Sequence, residues 1–352
     1  MGFARREQLA VGSWLADGAG TGLGATAPAR PRPRPRPRAP GPCVATEAAA
    51  THTAPVPHTA PSAPARVPAP EWLAELPVRP GPPWVSMGVR ALDLDRWLVF
   101  DENTPAELAE KRRSSAERHD RVFAATPGTA AAGAEVQALV RRWLSRHHPE
   151  AAPPDGAGTA PGRPREAVHG LEAAALSVPE DLCLMVERDG TYVLAAAAVH
   201  FPSHWRLEEK MGRSLSEIHR PVHHYAAELA TKVDTFFTRL TPQRPVVRRN
   251  VSVHDHAELF RPEPPEDYGL LDVRAEDLWL RSERQTLVRL PDSGAVLFTI
   301  KTQQCPLAAI TQAPAVASAL ATTYRALITE LDRSGAALPV PRWLPDWLAA
   351  PA

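Results

Sequence analysis

Cysteine is almost missing from this 352-residue chain. Its three copies, Cys43, Cys183 and Cys305, are too few and too scattered for a disulfide scaffold, an iron–sulfur cluster or a tetrathiolate zinc site. They fit a reduced, cytoplasmic compartment. No apolar run approaches the roughly 18 residues of a membrane-spanning helix, so no membrane role is expected. Net charge is absent as well: 40 basic residues balance 40 acidic ones. A surface built as a whole for nucleic acid is thereby excluded. Missing too are G-x-S-x-G, a P-loop, H-E-x-x-H and any Cys-x-x-Cys.

Proline is abundant instead, with 39 copies that crowd most densely into residues 1–82. The run from Arg30-Pro31 to Arg38-Ala39-Pro40 alternates the two residue types, and Ala/Thr/Pro repeats continue to Pro70. Such a segment has almost nothing to bury and is expected to be disordered, with polyproline character. Its nine arginines outnumber five acidic residues, which reads as a solvated tail, or as an extension upstream of a start near Met87. An arm for a nucleic-acid or protein partner is the other reading. Arg5-Arg6 opens no signal peptide, because Asp17 and several glycines break the stretch that follows. The expected division is a disordered Pro/Arg/Ala-rich tail over 1–82 and one folded domain over 83–352.

The folded part reads as α+β. Thr104-Pro105-Ala106-Glu107 has the residues of a helix start, with Thr104 as cap, and that helix should run to about Phe123. Val136, Leu139, Val140, Trp143 and Leu144 share one face of a second helix over about Ala131–Ser145. Asp189-Gly190, between the apolar runs Leu182–Val186 and Tyr192–Phe201, predicts a hairpin. Further strands are expected at Pro245–Val253 and Leu278–Leu290, the latter turning through Pro291–Gly294 into Ala295–Thr302. Ser214-Leu215-Ser216-Glu217 is a capping box for a short helix that ends before Pro221. Pro221 then opens a long helix to Leu240, and a last helix covers about Ala315–Leu331. An antiparallel sheet with interleaved and flanking helices follows.

Chemistry is offered mainly by histidine and arginine. Of 13 histidines, His200, His204, His219, His223 and His224 lie close in sequence. The two i,i+4 pairs among them contain Pro202 and Pro221, so neither lies on a continuous helix. Taken singly, each reads as a surface or hydrogen-bonded residue, while a mononuclear zinc or non-haem iron centre stays open as an alternative. His219 ends the short capped helix two residues before Pro221, so its backbone is fixed on both sides. Arg284 interrupts an apolar row with Leu278, Leu280, Val288 and Leu290, and Arg249 shares a face with Val247, Val251 and Val253. An arginine facing a core needs an anionic partner, either an internal carboxylate or a bound cofactor carboxylate or phosphate.

Several segments together carry a resemblance. Phe201-Pro202-Ser203-x-Trp205, Lys210-x-Gly212-x-x-Leu215-x-x-Ile218-His219-x-Pro221-Val222 and Pro245-Val246-x-Arg248-x-Asn250 occur in order. Leu280-Arg281-x-Glu283-Arg284-Gln285-Thr286-Leu287-x-Arg289-Leu290-Pro291 and Gly294 through Thr302 complete the set. With a stretch from Trp97 to Phe123, the region of about 85–310 resembles the haem-dependent oxidative N-demethylase family.

The resemblance implies a PAS-like domain holding haem b, which oxidises a methyl group of dimethylamine with O2 to give methylamine and formaldehyde. Electrons would come from NADPH through separate flavin and iron–sulfur components, since this chain's cysteines cannot build such a relay. It further implies His219 as the axial metal ligand and Arg248, Asn250 and Arg284 as cofactor-binding residues. Glu283 is the candidate catalytic acid, although strand alternation puts it opposite Arg284 and towards solvent. Two positions depart from the family: Val251 stands where tryptophan usually follows the asparagine, and His223 where Pro-Val-Pro would place proline. If they line the pocket, substrate preference departs from dimethylamine, and His223 as a second axial ligand would favour a haem-binding PAS-like sensor or redox protein without turnover. A non-haem metal protein and a haem-free interaction module are the remaining readings.

Overall fold

Turn chemistry and apolar alternation build one antiparallel sheet. A computed structural model describes residues 68–76, 88–151, 168–219, 235–263, 273–334 and 341–350. These belong to one of two compact units of the chain, and the other, Thr21–Arg66, lies outside the described residues. The strands are β1 (Arg90–Ala91), β2 (Phe123–Ala125), β3 (Asp181–Arg188), β4 (Thr191–Ala198), β5 (Val246–His254), β6 (Trp279–Arg289) and β7 (Val296–Pro306). They run in the order β1-β5-β6-β7-β3-β4-β2, with every neighbouring pair antiparallel. The helices are α1 (Thr104–Glu117), α2 (His119–Val122), α3 (Ala130–His147), α4 (Gly170–Ala175), α5 (Leu207–Lys210), α6 (Leu215–His219), α7 (Pro314–Ser334) and α8 (Leu344–Ala349). Residues 235–239 are helical too, where the long helix from Pro221 is expected to end, while 220–234 lie outside the described residues.

The α+β expectation holds, and its strongest local signals have the expected geometry. Asp189 and Gly190 both take left-handed backbone, φ 51° and 78°, which closes the β3–β4 hairpin. The capping box forms as a reciprocal pair: the Ser214 backbone N–H donates to Glu217 at 2.9 Å and the Glu217 N–H donates to Ser214 Oγ at 3.3 Å. The first helix is different. It breaks at Arg118, φ −149°, and Phe123 opens β2, which pairs with β4 through Phe123↔Ala198. Thr104 does not cap it: its hydroxyl accepts from the Asp101 backbone, 2.9 Å, and Glu107 turns inward to Lys301. A buried ion pair outcompeted the local cap there, and an unpaired sheet edge outcompeted helix propensity.

Both faces of the sheet are covered. On one face Leu182, Leu184, Ala196 and Leu297 pack with α3 and α4, and Val251, Val253 and Leu280 with α7 and α8. The α3–α4 contact is backbone-close, because a Cβ on Gly170 would sit 2.5 Å from the Gly133 carbonyl. Residues 68–76, grouped with the tail by composition, add a short 3-10 helix, Glu71–Glu75, that buries Leu73 and Leu76 in this core. On the opposite, α6 face, Cys183, Met185, Leu287, Val296, Phe298 and Ile300 pack with Trp205, Leu215, Ile218 and Phe237. Among the described residues no helix is long and apolar enough to cross a membrane.

Candidate functional site on the α6 face

The α6 face of β5, β6 and β7 changes character part-way along. Leu287, Phe298 and Ile300 give way to Arg248, Asn250, Arg281, Glu283, Gln285 and Thr302, all of them buried. Register puts Arg248 opposite Gln285, Asn250 opposite Glu283 and Glu283 opposite Thr302. Such a patch of buried polar groups is costly unless it is satisfied.

Satisfaction is incomplete. Glu283 accepts from Asn250 Nδ2 at 3.1 Å, Gln285 Nε2 at 3.1 Å and Arg281 Nη2 at 3.5 Å. Arg281 also donates to the Phe201 carbonyl, 2.7 Å, and to Thr302 Oγ1, 3.2 Å. Its Nε and Nη1, and the Gln285 Oε1, have no hydrogen-bond partner among the described residues. Burial lowers the pKa of Arg281, against the pull of Glu283 and Asp181. Burial likewise brings Arg248 down to about 9, with Glu283 opposing. Arg281 thus keeps two buried donors without a partner among the described residues, which favours an additional anion.

The sequence candidates divide between the faces. Arg248, Asn250 and Glu283 come together on this patch, and Glu283 is 6% exposed. Its expected position towards solvent is corrected: alternation does put it opposite Arg284, but helices cover both faces. Arg284 lies on the other face and donates to the Trp97 and Arg96 carbonyls at 2.7 and 2.6 Å, so main-chain oxygens take the place of an anion. Arg249, on that same face, does have its carboxylate: Glu75 accepts from it at 2.8 and 3.1 Å. The two arginines line a cleft of about 1010 Å³ together with Glu75, Asp95, Asp101 and Glu102. Arg90, Arg96, His147 and His148 line it as well, but its six carboxylates outnumber the four arginines, and Arg249 and Arg284 are already engaged, so it suits an anionic cofactor poorly. His219 closes α6, and its side chain lies outside the described residues, as do His223 and His224. Val251, where the family usually has tryptophan, packs on the α7 side and not on the polar patch.

A family model described as haem-dependent oxidative N-demethylase, alpha subunit-like, matches residues 88–333. The chain belongs to this family. Comparison with curated proteins finds no match. Haem dependence is stated in the family's description, and a haem-dependent oxidative N-demethylase needs an apolar slot for the macrocycle with cations for its two carboxylates. The α6 face supplies the cations, Arg248 and Arg281, the latter with two buried donors unused, beside the packed apolar residues Leu287, Phe298 and Ile300. In charge and hydrogen-bonding capacity these cations fit the carboxylates of the group. Arg281 and Gln285 were missed as site residues, although Arg281 shares the alternation of Glu283.

Proposed function

We propose that this chain is the haem-binding subunit of an oxygenase that N-demethylates a small secondary amine, similar to dimethylamine, with O2. Electrons would arrive from NADPH through a separate flavin and iron–sulfur subunit, a reading supported by the alpha-subunit description of the family. The observation that carries the proposal is the buried, incompletely satisfied Arg281 guanidinium beside Arg248 and an apolar half-face, in a chain of this family. A PAS-like architecture is supported by the five long strands, ordered β4-β3-β7-β6-β5 with α5 and α6 inserted between β4 and β5. That is the order second, first, fifth, fourth, third.

Haem b held on this face would supply the dioxygen chemistry that oxidises the N-methyl carbon. Arg248 and Arg281 would pair with its carboxylates through charge-assisted hydrogen bonds. His219 would hold its iron, and the capping box at Ser214 and Glu217 fixes the start of the helix that ends with it. Asn250 and Gln285 orient Glu283, whose carboxylate can accept a hydrogen bond from a protonated secondary amine. Arg284 acts from the other face, by fixing the 96–97 backbone.

The test is formaldehyde release. Haem-loaded chain is supplied with NADPH, a ferredoxin reductase and ferredoxin, O2 and dimethylamine or its homologues. Formaldehyde formed in step with amine consumed is expected. Haem binding without formaldehyde from any methylated secondary amine would replace the oxygenase with a sensor or redox protein.

A further inference from the structure

We propose that His204, His254 and His256 form a second, non-haem site that binds one borderline divalent cation such as Zn2+ with an open fourth position. No two of these residues come from one helix. His254 ends β5, His256 lies two residues beyond it, and His204 sits in the loop after β4. That loop is held by a parallel bridge, Ser203↔Arg261, with the Arg261 N–H donating to the Pro202 carbonyl at 3.0 Å. His204 itself has left-handed backbone, φ 59°, uncommon for a residue with a Cβ.

One ring nitrogen from each histidine lies within 4.8 Å of the other two. His204 and His254 stack nearly parallel at 5.7 Å, and His256 crosses both steeply at 5.9 and 5.4 Å. Hydrogen bonding on the far side of the rings sets which nitrogen is free. The Glu263 carbonyl can only accept, so His204 Nδ1, 3.2 Å away, carries the hydrogen and Nε2 keeps its lone pair. His254 Nε2 pairs with Ser252 Oγ at 2.8 Å, leaving Nδ1. His204 Nε2, His254 Nδ1 and both nitrogens of His256 are buried with no hydrogen-bond partner among the described residues. Buried imidazole nitrogens left without a partner are costly. A cation satisfies all three at once.

The donor set selects the ion. Three imidazoles with no thiolate suit zinc and its neighbours, while calcium and magnesium take oxygen ligands. Three protein ligands leave one tetrahedral position for water or a small ligand. The Glu263 carbonyl and Ser252 hydroxyl are the outer partners that orient such ligands. Asp255 Oδ1, 3.8 Å from His256 Nε2, offsets part of the charge of Arg281 and Arg261 nearby. The site adjoins Arg281, whose charge acts on all three histidines, but none of its ligands is a residue proposed for haem, and it stands without that proposal.

Full-length protein is loaded with Zn2+, dialysed and analysed for zinc, and separately titrated with Co2+ while its visible d–d absorption is followed. Haem content is read in parallel from the Soret band. Retention of about one zinc per chain and a tetrahedral Co2+ spectrum are expected. His256→Ala, at a partly exposed loop position, should weaken Zn2+ binding by about a hundredfold or more, since loss of an outer-shell hydrogen bond alone costs about 10–100-fold. His254→Ala should do the same, with circular dichroism confirming that it folds, and both should keep their haem. Zinc retention by the wild type no greater than by His256→Ala overturns the site. Loss of haem in His256→Ala with zinc retention unchanged also overturns it, by assigning the histidine to the haem pocket.

Discussion

Asn250 and Glu283 face each other across β5 and β6 and satisfy one another twice. The Asn250 amide donates to the Glu283 carboxylate at 3.1 Å, and its carbonyl oxygen accepts from the Glu283 backbone N–H at 2.8 Å. A single carboxamide thus holds the carboxylate in place on the proposed site and closes the strand pairing beneath it. Asn250→Ala leaves both Glu283 groups buried and short of a partner, so urea denaturation should show a loss of about 1–3 kcal/mol. Asn250→Leu should lose as much, which a purely volumetric effect would not produce.

Arg281 and Arg248 are the residues proposed to pair with the cofactor's carboxylates. Replacing either by Gln should weaken haem binding by about 10–100-fold, the equivalent of one charge-assisted hydrogen bond. Haem transfer to apomyoglobin measures this. Arg284→Gln, on the opposite face, should leave haem retention unchanged and lower stability instead, because the Arg96 and Trp97 carbonyls lose their donor.

The short helix at 71–75 belongs to the fold. Leu73 is 1% exposed among Val251, Leu280 and α7. Leu73→Ala should cost about 2–5 kcal/mol. Deletion through residue 87 should lower the thermal midpoint, because Arg249 then loses Glu75 and the core loses Leu73.

His200 gives the fold an acid limit. It is 1% exposed, its Nδ1 pairs with Ser114 Oγ at 2.8 Å, and burial with Lys111 nearby holds its pKa well below 6.5. The unfolded chain therefore takes up a proton that the folded chain refuses. Stability from this group is complete above about pH 6.5 and falls as the pH drops below it. Between about pH 7 and pH 5 the wild type should lose more unfolding free energy than His200→Asn, as read from urea midpoints at each pH.

Sequence made the central sheet legible because its hairpins are written locally. Asp189-Gly190 and the alternation around Glu283 need no distant partner to be read. The capping box at Ser214 is local as well. What was missed depends on tertiary competition: Glu107 left its capping role for Lys301, and Phe123 left a helix for the edge of β4. The faces of Arg248 and Glu283 followed from period two, but their burial did not, since an alternating strand does not reveal that both of its faces are covered. The histidine triad shows the same limit. His254 and His256 are two apart, yet His204 joins them only through the loop pairing at Arg261.

The central claim is haem on the α6 face, and the absorption spectrum of the purified chain tests it most directly. It is recorded as isolated, after reduction and after carbon monoxide, for wild type, Arg281→Gln and His219→Ala, each produced with added haem precursor. A near-stoichiometric Soret band shifted by carbon monoxide is predicted for wild type, weakened in Arg281→Gln and altered or lost in His219→Ala. A haem-free wild type, or a band that none of these substitutions changes, would contradict it.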